Sequence, residues 1–427
     1  MNILVQLSHP AHFHLYKNAI KNWQSDGHQV FVLIKTKDML EDLLRNAGIE
    51  YHNILPVAHR SSKISILWDM VVRDWRMTRF AIKHHIDILT GSTPEVGHVA
   101  WLLRRKAVTT TEDDSAVVPA FAKVAAPFLQ CLITPSTCNN GRMEPQSSKY
   151  PSYHELAYLH PNHFQPNPEI VKSYGIGLND TSAKSNEPLR SMSRTNVLNG
   201  EHNPFAPYFI LRFASLNAHH DSGIKGINTE IAQRLIDILA PHGTIYITSE
   251  RPLEPQFEQY RIRINPLEMH HVMAFASLYI GDSQTMAAEA GVLGVPFVRF
   301  NDFVGRIGYL RELEDTYQLG YGIHASPLPK PNSLPNSDSQ LVPQLNNSSA
   351  NNALGEQASG PEAMYKIVER LVAMDPAERR TTFQLRRQKM LSDKIDCAKF
   401  LTWFIENNPK SVAETKNANE EFWKSFR

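Results

Sequence analysis

Cysteine, net charge and long apolar runs are all scarce in this chain. Cys131, Cys138 and Cys397 stand at spacings that suit neither a metal site nor a disulfide framework, which fits a reducing cytosol. Lysine and arginine number 44 against 43 aspartates and glutamates, so no electrostatic footprint for nucleic acid is visible. No stretch approaches the length of a membrane span. The N-terminal run Met1–Leu7 is interrupted too soon, by His9-Pro10, to be a signal peptide. These absences lead to the expectation of a cytoplasmic protein with at most peripheral contact with the inner face of a membrane. The longest apolar-leaning piece, Val117–Ile133, contains Pro119, Lys123 and Pro127 and reads as a broken buried helix.

What is present is an alternation of short apolar strands and amphipathic helices. Strands are expected at Ile3–Leu7, Val30–Ile34, Tyr51–Leu55, Ile86–Leu89 and Ala107–Thr110, with helices between them. This pattern implies an α/β fold with parallel sheets and right-handed crossovers. Ligands of such sheets bind beyond the C-terminal strand ends, where the polar turns His9–His12, Gly91–Pro94 and Thr111–Asp114 fall. The helix Ile64–Ile82 carries Trp68 and Trp75 with Arg73, Arg76 and Arg79. Its Trp and apolar residues are expected to pack into the first domain, the other reading being a surface that touches membrane or a lipid acceptor.

Composition divides the chain. Residues 1–165 form a first Rossmann-like domain, and residues 166–206, rich in Asn, Ser and Pro, read as a flexible linker or insertion. The βα pattern restarts at Tyr208 and defines a second domain over 207–325, with strands at Tyr208–Ala214, Thr244–Thr248, Arg261–Ile264 and Leu278–Ile280. Residues 326–360 are a second low-complexity insertion, 361–408 are helical, and 409–427 read as a charged, frayed tail.

The stretch Leu278–Phe300 is the focus of the second domain. Gly281, Asp282 and Ser283 make a capping turn between a buried strand and an Ala-rich helix that begins at Gln284. A strand turning sharply into a helix aims free N–H groups and the positive dipole end at one spot, which suits phosphate. Ser283 and Thr285 add hydroxyl donors, and Glu289, one turn beyond Thr285, is placed to accept bonds from the hydroxyls of a ribose. A plain capped helix with an exposed Glu289 is the alternative.

Other candidates cluster at strand ends. Arg212 or Arg251 reads as a diphosphate clamp, or as a buried ion pair and a solvated charge. His12 is the preferred base in the first domain. Glu112-Asp113-Asp114 crowds three carboxylates, which raises one pKa and suits a general base, although a solvated loop also explains them. His219-His220-Asp221 follows a strand and reads as a cleft loop; adjacent histidines without a third ligand do not make a metal site. His270-His271 reads as structural.

These motifs resemble, in order, those of the uncharacterised prokaryotic DUF354 family: His9-Pro10-Ala11-His12, Asn217–Asp221, Thr248-Ser249-Glu250-Arg251 and Gly281–Ala290. The resemblance covers most of residues 1–165 and 207–323. It implies a GT-B architecture, two Rossmann-like domains facing each other across a cleft. At one remove the chain is similar to UDP-N-acetylglucosamine 2-epimerases and MurG-type glycosyltransferases. That similarity implies that the turn and helix Gly281–Ala290 hold the diphosphate and that Glu289 takes the ribose; joined with the strand-end candidates, the expected nucleotide-sugar site is Arg212, His219, Glu250, Gly281, Asp282, Ser283, Gln284, Thr285 and Glu289. The similarity also implies functional places for Glu112 and for His219 or His220; with His12, read from its turn, the expected catalytic residues are His12, Glu112 and His220, with no metal and no cofactor beyond the nucleotide-diphosphate sugar substrate. The expected activity is glycosyl transfer from a donor, UDP-linked by this resemblance, to an unidentified sugar or lipid-linked acceptor, in cell-surface polysaccharide or glycolipid synthesis. An epimerase and a non-catalytic sugar-nucleotide-binding protein are the alternatives. The epimerase pattern of glutamate followed by Ala-Gly-Leu-Arg is replaced here by Glu112-Asp-Asp-Ser115.

Overall fold

The computed structural model describes residues 1–36, 39–55, 63–177, 203–214, 226–326, 353 and 359–427. The chain divides into two units, Met1–His163 with Asp393–Arg427, and Phe164–Ser392. Both expected insertions lie largely outside the described residues.

The first unit alternates β1 (Asn2–Leu7), α1 (Pro10–Ser25), β2 (Gln29–Lys35), α2 (Leu40–Asn46), β3 (His52–Leu55), α3 (Lys63–Lys83), β4 (Ile88–Gly91), α4 (Pro94–Leu103), β5 (Lys106–Thr110), α5 (Pro119–Ala125), β6 (Leu132–Pro135) and β7 (Ser147–Tyr150). All strand pairs are parallel, in the order β3-β2-β1-β4-β5-β6-β7. Such a sheet is covered on both faces, which explains why β1 reads as one apolar run, with Ile3, Leu4, Val5 and Leu7 buried. On one face Leu4, Leu33 and Leu89 pack against Met77 and Ala81 of α3 and Val96, Val99 and Ala100 of α4.

The second unit runs α6 (Pro168–Ser173), β8 (Tyr208–Phe213), α7 (Thr229–Leu239), β9 (Thr244–Ser249), α8 (Met269–Ala274), β10 (Leu278–Gly281), α9 (Gln284–Val292), β11 (Phe297–Phe300), α10 (Gly308–Arg311), β12 (Gly320–Ile323), α11 (Gly360–Ala373) and α12 (Pro376–Asp393). Its five strands are parallel in the order β12-β11-β10-β8-β9. Phe209, Leu211, Ile245, Ile280 and Val298 of the sheet pack with Leu235 of α7 and Ile367 and Leu371 of α11.

The chain then returns to the first unit as α13 (Cys397–Glu406), α14 (Lys410–Lys416) and α15 (Glu420–Lys424). Asp396 caps α13 through the Lys399 N–H (3.1 Å) and accepts bonds from Asn162 (3.0 Å) and His163 (2.8 Å). The Trp23 indole of α1 donates to the Thr402 carbonyl at 3.3 Å.

Several expectations change on this evidence of packing. Residues 409–427 do not fray: Phe426 is buried, its ring lies 5.5 Å from Phe400, and its carbonyl takes the Asp396 N–H. The segment read as a linker from 166 begins with an ordered helix, α6, after which the Tyr174 hydroxyl donates to Glu268 at 2.5 Å. Val117–Ile133 is not one helix, because its last residues enter β6 between β5 and β7. Arg261–Ile264 makes only an isolated bridge to Ile247. On α3 the apolar stripe faces outward: Trp68, Val71, Trp75 and Ile82 are exposed while Met77 and Ala81 fill the core.

Candidate functional site

Each sheet reverses its strand order at one place. In the first this lies between β1 and β4, and in the second between β8 and β10. At a reversal the crossover helices leave in opposite directions, and a crevice opens outside the carboxyl ends of the two strands. The segments that follow these four strands therefore carry the candidate residues: Ser8–His12, Gly91–Thr93, Arg212–Ala214 and Gly281–Ser283.

In the second unit Gly281 lies opposite Arg212. A Cβ on Gly281 would fall 2.9 Å from both Cβ and the carbonyl oxygen of Arg212, so only glycine allows this approach. Ser283 caps α9, accepting the Met286 N–H at 3.4 Å. The N–H groups of Gln284 and Thr285 stay outside the intrahelical ladder. Glu289, buried on α9, meets Nε2 of His270 of α8 at 2.9 Å. Sequence reading treated His270 as structural; the two lie 19 positions apart, and only the packing of α8 on α9 joins them.

Asp282 is a clamp. Its carboxylate accepts the N–H groups of Ala214 (2.6 Å) and Ile227 (3.2 Å), while its carbonyl accepts from Asn301 at 3.0 Å. Arg251 donates to the Ile227 carbonyl at 2.5 Å and lies over the Phe213 ring. Both ends of the loop after β8 are thus held. His219 and His220, within that loop, lie outside the described residues. Burial pushes the Asp282 carboxyl up to about 6, against the pull of the two N–H donors and Arg251.

Arg212 and Glu250 form an ion pair across the ends of β8 and β9. Among the described residues, Arg212 Nε and Thr248 Oγ1, on neighbouring strands, are buried without a hydrogen-bond partner. Gln284 is engaged from below: its amide oxygen accepts from Arg299 (2.5 Å), a fully buried guanidinium paired with Glu314 at 2.8 Å. Thr285 is half-buried on the first turn of α9.

In the first unit His12 Nδ1 accepts the Ser8 N–H at 3.3 Å. The neutral ring therefore carries its proton on Nε2, which makes it a donor; service as a base would first require giving up Ser8. Glu112 lies 3.2 Å from Nδ1 of His154, and burial drives the His154 pKa down to about 3, so that imidazole is neutral. Asp114 is spent on structure, taking the Asn139 N–H at 2.6 Å. Ser92 and Thr93 bond Thr110 (2.6 Å) and Gln6 (2.7 Å) and fix the turn after β4.

Among the described residues no group of three or more His, Cys, Asp or Glu side chains could hold a metal ion. A cavity of about 510 Å³ lies by the start of β9, lined by Tyr174, Tyr246, Tyr260 and Arg261, at the opposite end of the strand from Glu250.

No family model and no curated protein matches the sequence. Solved structures do match in fold. Spinosyn rhamnosyltransferase SpnG with spinosyn aglycone aligns over 98% of this chain and 99% of its own, at 12% identity and a TM-score of 0.51. MnaA of S. aureus, solved with UDP, aligns over 97% and 98%, at 10% identity and a TM-score of 0.53. The fold is GT-B. The UDP-GlcNAc 2-epimerase of Neisseria meningitidis, bound to UDP-GlcNAc, is similar over 92% of this chain and 100% of its own, at 9% identity and a TM-score of 0.50. Transferases and epimerases alike are found among these neighbours, so the likeness shows the fold alone, and an activity has to be argued from this chain's own residues.

Proposed function

We propose that the second unit binds a nucleotide-diphosphate sugar at the turn from β10 into α9, and that the chain is a glycosyltransferase related to the DUF354 proteins. The observation that carries this reading is the serine-capped turn after Gly281 at the strand-order reversal of the second sheet, with Arg212 beside it and Glu289 one turn along the helix.

The diphosphate sits at the first turn of α9, where its charge meets free N–H groups and the helix dipole without a metal. Arg212 Nε and the hydroxyl of Thr248 are the next donors available to it. Glu289, oriented by His270, accepts the ribose hydroxyls. Gln284 and Asp282 support the turn through Arg299 and through the loop after β8, the loop that carries His219 and His220.

In the transfer itself the bond from the anomeric carbon to the diphosphate breaks, and a hydroxyl oxygen of the acceptor bonds to that carbon. The electrons of the broken bond leave on the diphosphate, stabilised at the helix N-terminus. The hydroxyl proton goes to a base. Glu112 takes that role, and His12, protonated on Nε2, orients the acceptor by donating a hydrogen bond. The acceptor is a sugar or lipid-linked hydroxyl, and the setting is cell-surface polysaccharide or glycolipid synthesis in the cytoplasm. An epimerase would need only the sugar nucleotide; the sequence Glu112-Asp-Asp-Ser115 departs from the epimerase pattern.

The test is calorimetric titration of UDP, GDP, ADP, dTDP and UDP-N-acetylglucosamine into wild type and Glu289→Ala. One nucleotide should bind wild type and lose about 1–3 kcal/mol in the variant. Absence of binding by all of them would remove the transferase and epimerase readings together. Product analysis then separates the two: a transferase releases the nucleotide slowly until an acceptor is added, whereas an epimerase interconverts the donor alone.

A further inference from the structure

Three of the six tryptophans are more than half exposed: Trp68 (64%) and Trp75 (56%) on α3, and Trp101 (61%) on α4. A side chain this large and apolar is rarely left in water without a purpose. Val71 and Ile82 share the outer face of α3, so an apolar stripe runs from Trp68 to Ile82, about 21 Å at the helical rise. Leu102 is exposed beside Trp101.

The two helices present this surface together. Both lie on one side of the first sheet, joined by Arg73 to Glu95 (2.5 Å) and His98 to Asp74 (3.0 Å). Trp101 and Leu102 follow His98 by one helical turn and are exposed on the same helix layer as the α3 stripe, the Trp101 ring standing edge-on to Phe128 at 5.5 Å.

The exposed charges of α3 and α4 have one sign, and the exposed carboxylate of Asp87 after α3 is engaged by the Asn2 N–H at 2.8 Å. Asp69 and Glu95 are buried and Asp74 is half-buried against His98, so no described carboxylate of α3 or α4 is exposed. Exposed cations interleave with the apolar groups: Arg79, whose guanidinium lies 4.9 Å from the Trp75 ring centre, Lys83, and Arg104 and Arg105 directly after α4. Indole rings settle at the boundary between headgroups and acyl chains, and arginine and lysine meet anionic headgroups there. A second copy of this chain fits poorly, because a two-fold contact through this face would set like cations against each other. No helix among the described residues is long and apolar enough to cross a membrane, so contact would be along the surface.

We propose that the α3–α4 face of the first unit docks on an anionic lipid bilayer, inserting Trp68, Trp75 and Trp101 at the headgroup level. This stands independently of the nucleotide reading.

The test uses the full chain and extruded vesicles, of phosphatidylcholine alone or with one-quarter phosphatidylglycerol. The protein should co-sediment with the anionic vesicles only, more weakly at high salt, and Trp68→Gln/Trp75→Gln should lower the apparent affinity about tenfold or more. Brominated acyl chains should quench tryptophan emission of wild type, a readout that needs no variant. No sedimentation with anionic vesicles, no quenching, or undiminished binding by the double variant would overturn the proposal. So would a concentration-dependent dimer, or retention on single-stranded DNA, that the double variant abolishes while vesicle binding is absent. The assay contains no nucleotide, so its failure leaves the donor site untouched, and loss of nucleotide binding leaves this proposal untouched.

Discussion

Asp282 shows how a residue chosen for one role can carry another. The sequence places it in the capping turn of the expected nucleotide-sugar site, whereas the structure gives its side chain two backbone N–H groups, one at each end of the loop after β8. Asp282→Ala should leave both donors without an acceptor and lower the stability of the second unit by about 2 kcal/mol. Hydrogen exchange of peptides covering β8 and the start of α7 would register the loss. The titration has a definite sign. Burial lifts the carboxyl from 3.8 to about 6, so the folded unit keeps its proton where the unfolded chain has lost it. The cost of ionisation is present in full above about pH 6 and vanishes as the pH falls to the unfolded value. Relative to Asp282→Asn, wild type should therefore gain stability as the pH is lowered through that window, measured by denaturant titration with exchange as the readout. Neither role of the side chain could be read from its neighbours in sequence, because Ala214 and Ile227 are more than 50 positions away.

At the scale of an element, the β10–α9 turn was readable because its instructions are local. An apolar run, a glycine, a serine cap and an alanine-rich segment specify strand, turn and helix without help from the rest of the chain. What the glycine is for was not readable. Its missing Cβ makes room for Arg212 on the neighbouring strand, so Gly281→Ala must push β8 and β10 apart. We expect a loss of about 1–3 kcal/mol in the second unit, with nucleotide affinity falling as Arg212 is displaced; calorimetry and a melting curve check both. The apolar face of α3 is the converse case. Its periodicity announced an amphipathic helix correctly, yet the pattern alone assigned the tryptophans to the core. Met77 and Ala81 occupy that contact instead, packing with Leu4, Leu33 and Leu89 of the sheet and Val96 and Val99 of α4.

At the scale of the whole molecule, the C-terminal helices belong to the first unit although the second unit precedes them. Asp396 is the anchor of this return, with bonds to Asn162, His163 and the Lys399 N–H. Burial pushes its carboxyl up, but these partners outweigh burial and hold it below the usual 3.8. Its contribution is thus present above that value and lost as the pH falls through the lower folded pKa. Asp396→Ala should destabilise the first unit by about 1–3 kcal/mol at neutral pH and by less in strong acid. All six tryptophans lie in residues 1–163 and 393–427, so tryptophan fluorescence during denaturation reports this unit selectively.

By itself the sequence determined the parallel α/β class, the restart of the pattern at Tyr208, and the helix-capping turn at Gly281–Ser283, because periodicity and capping act over a few residues. Only the tertiary structure decided the rest. Strand order placed the turns after β1, β4, β8 and β10 at the two reversals. Packing paired Glu289 with His270 and Arg212 with Glu250, and it turned Trp68 and Trp75 outward. It also folded the last residues onto Phe400. Each of these depends on contacts between positions far apart in the chain, and no local pattern encodes which distant partner will lie opposite.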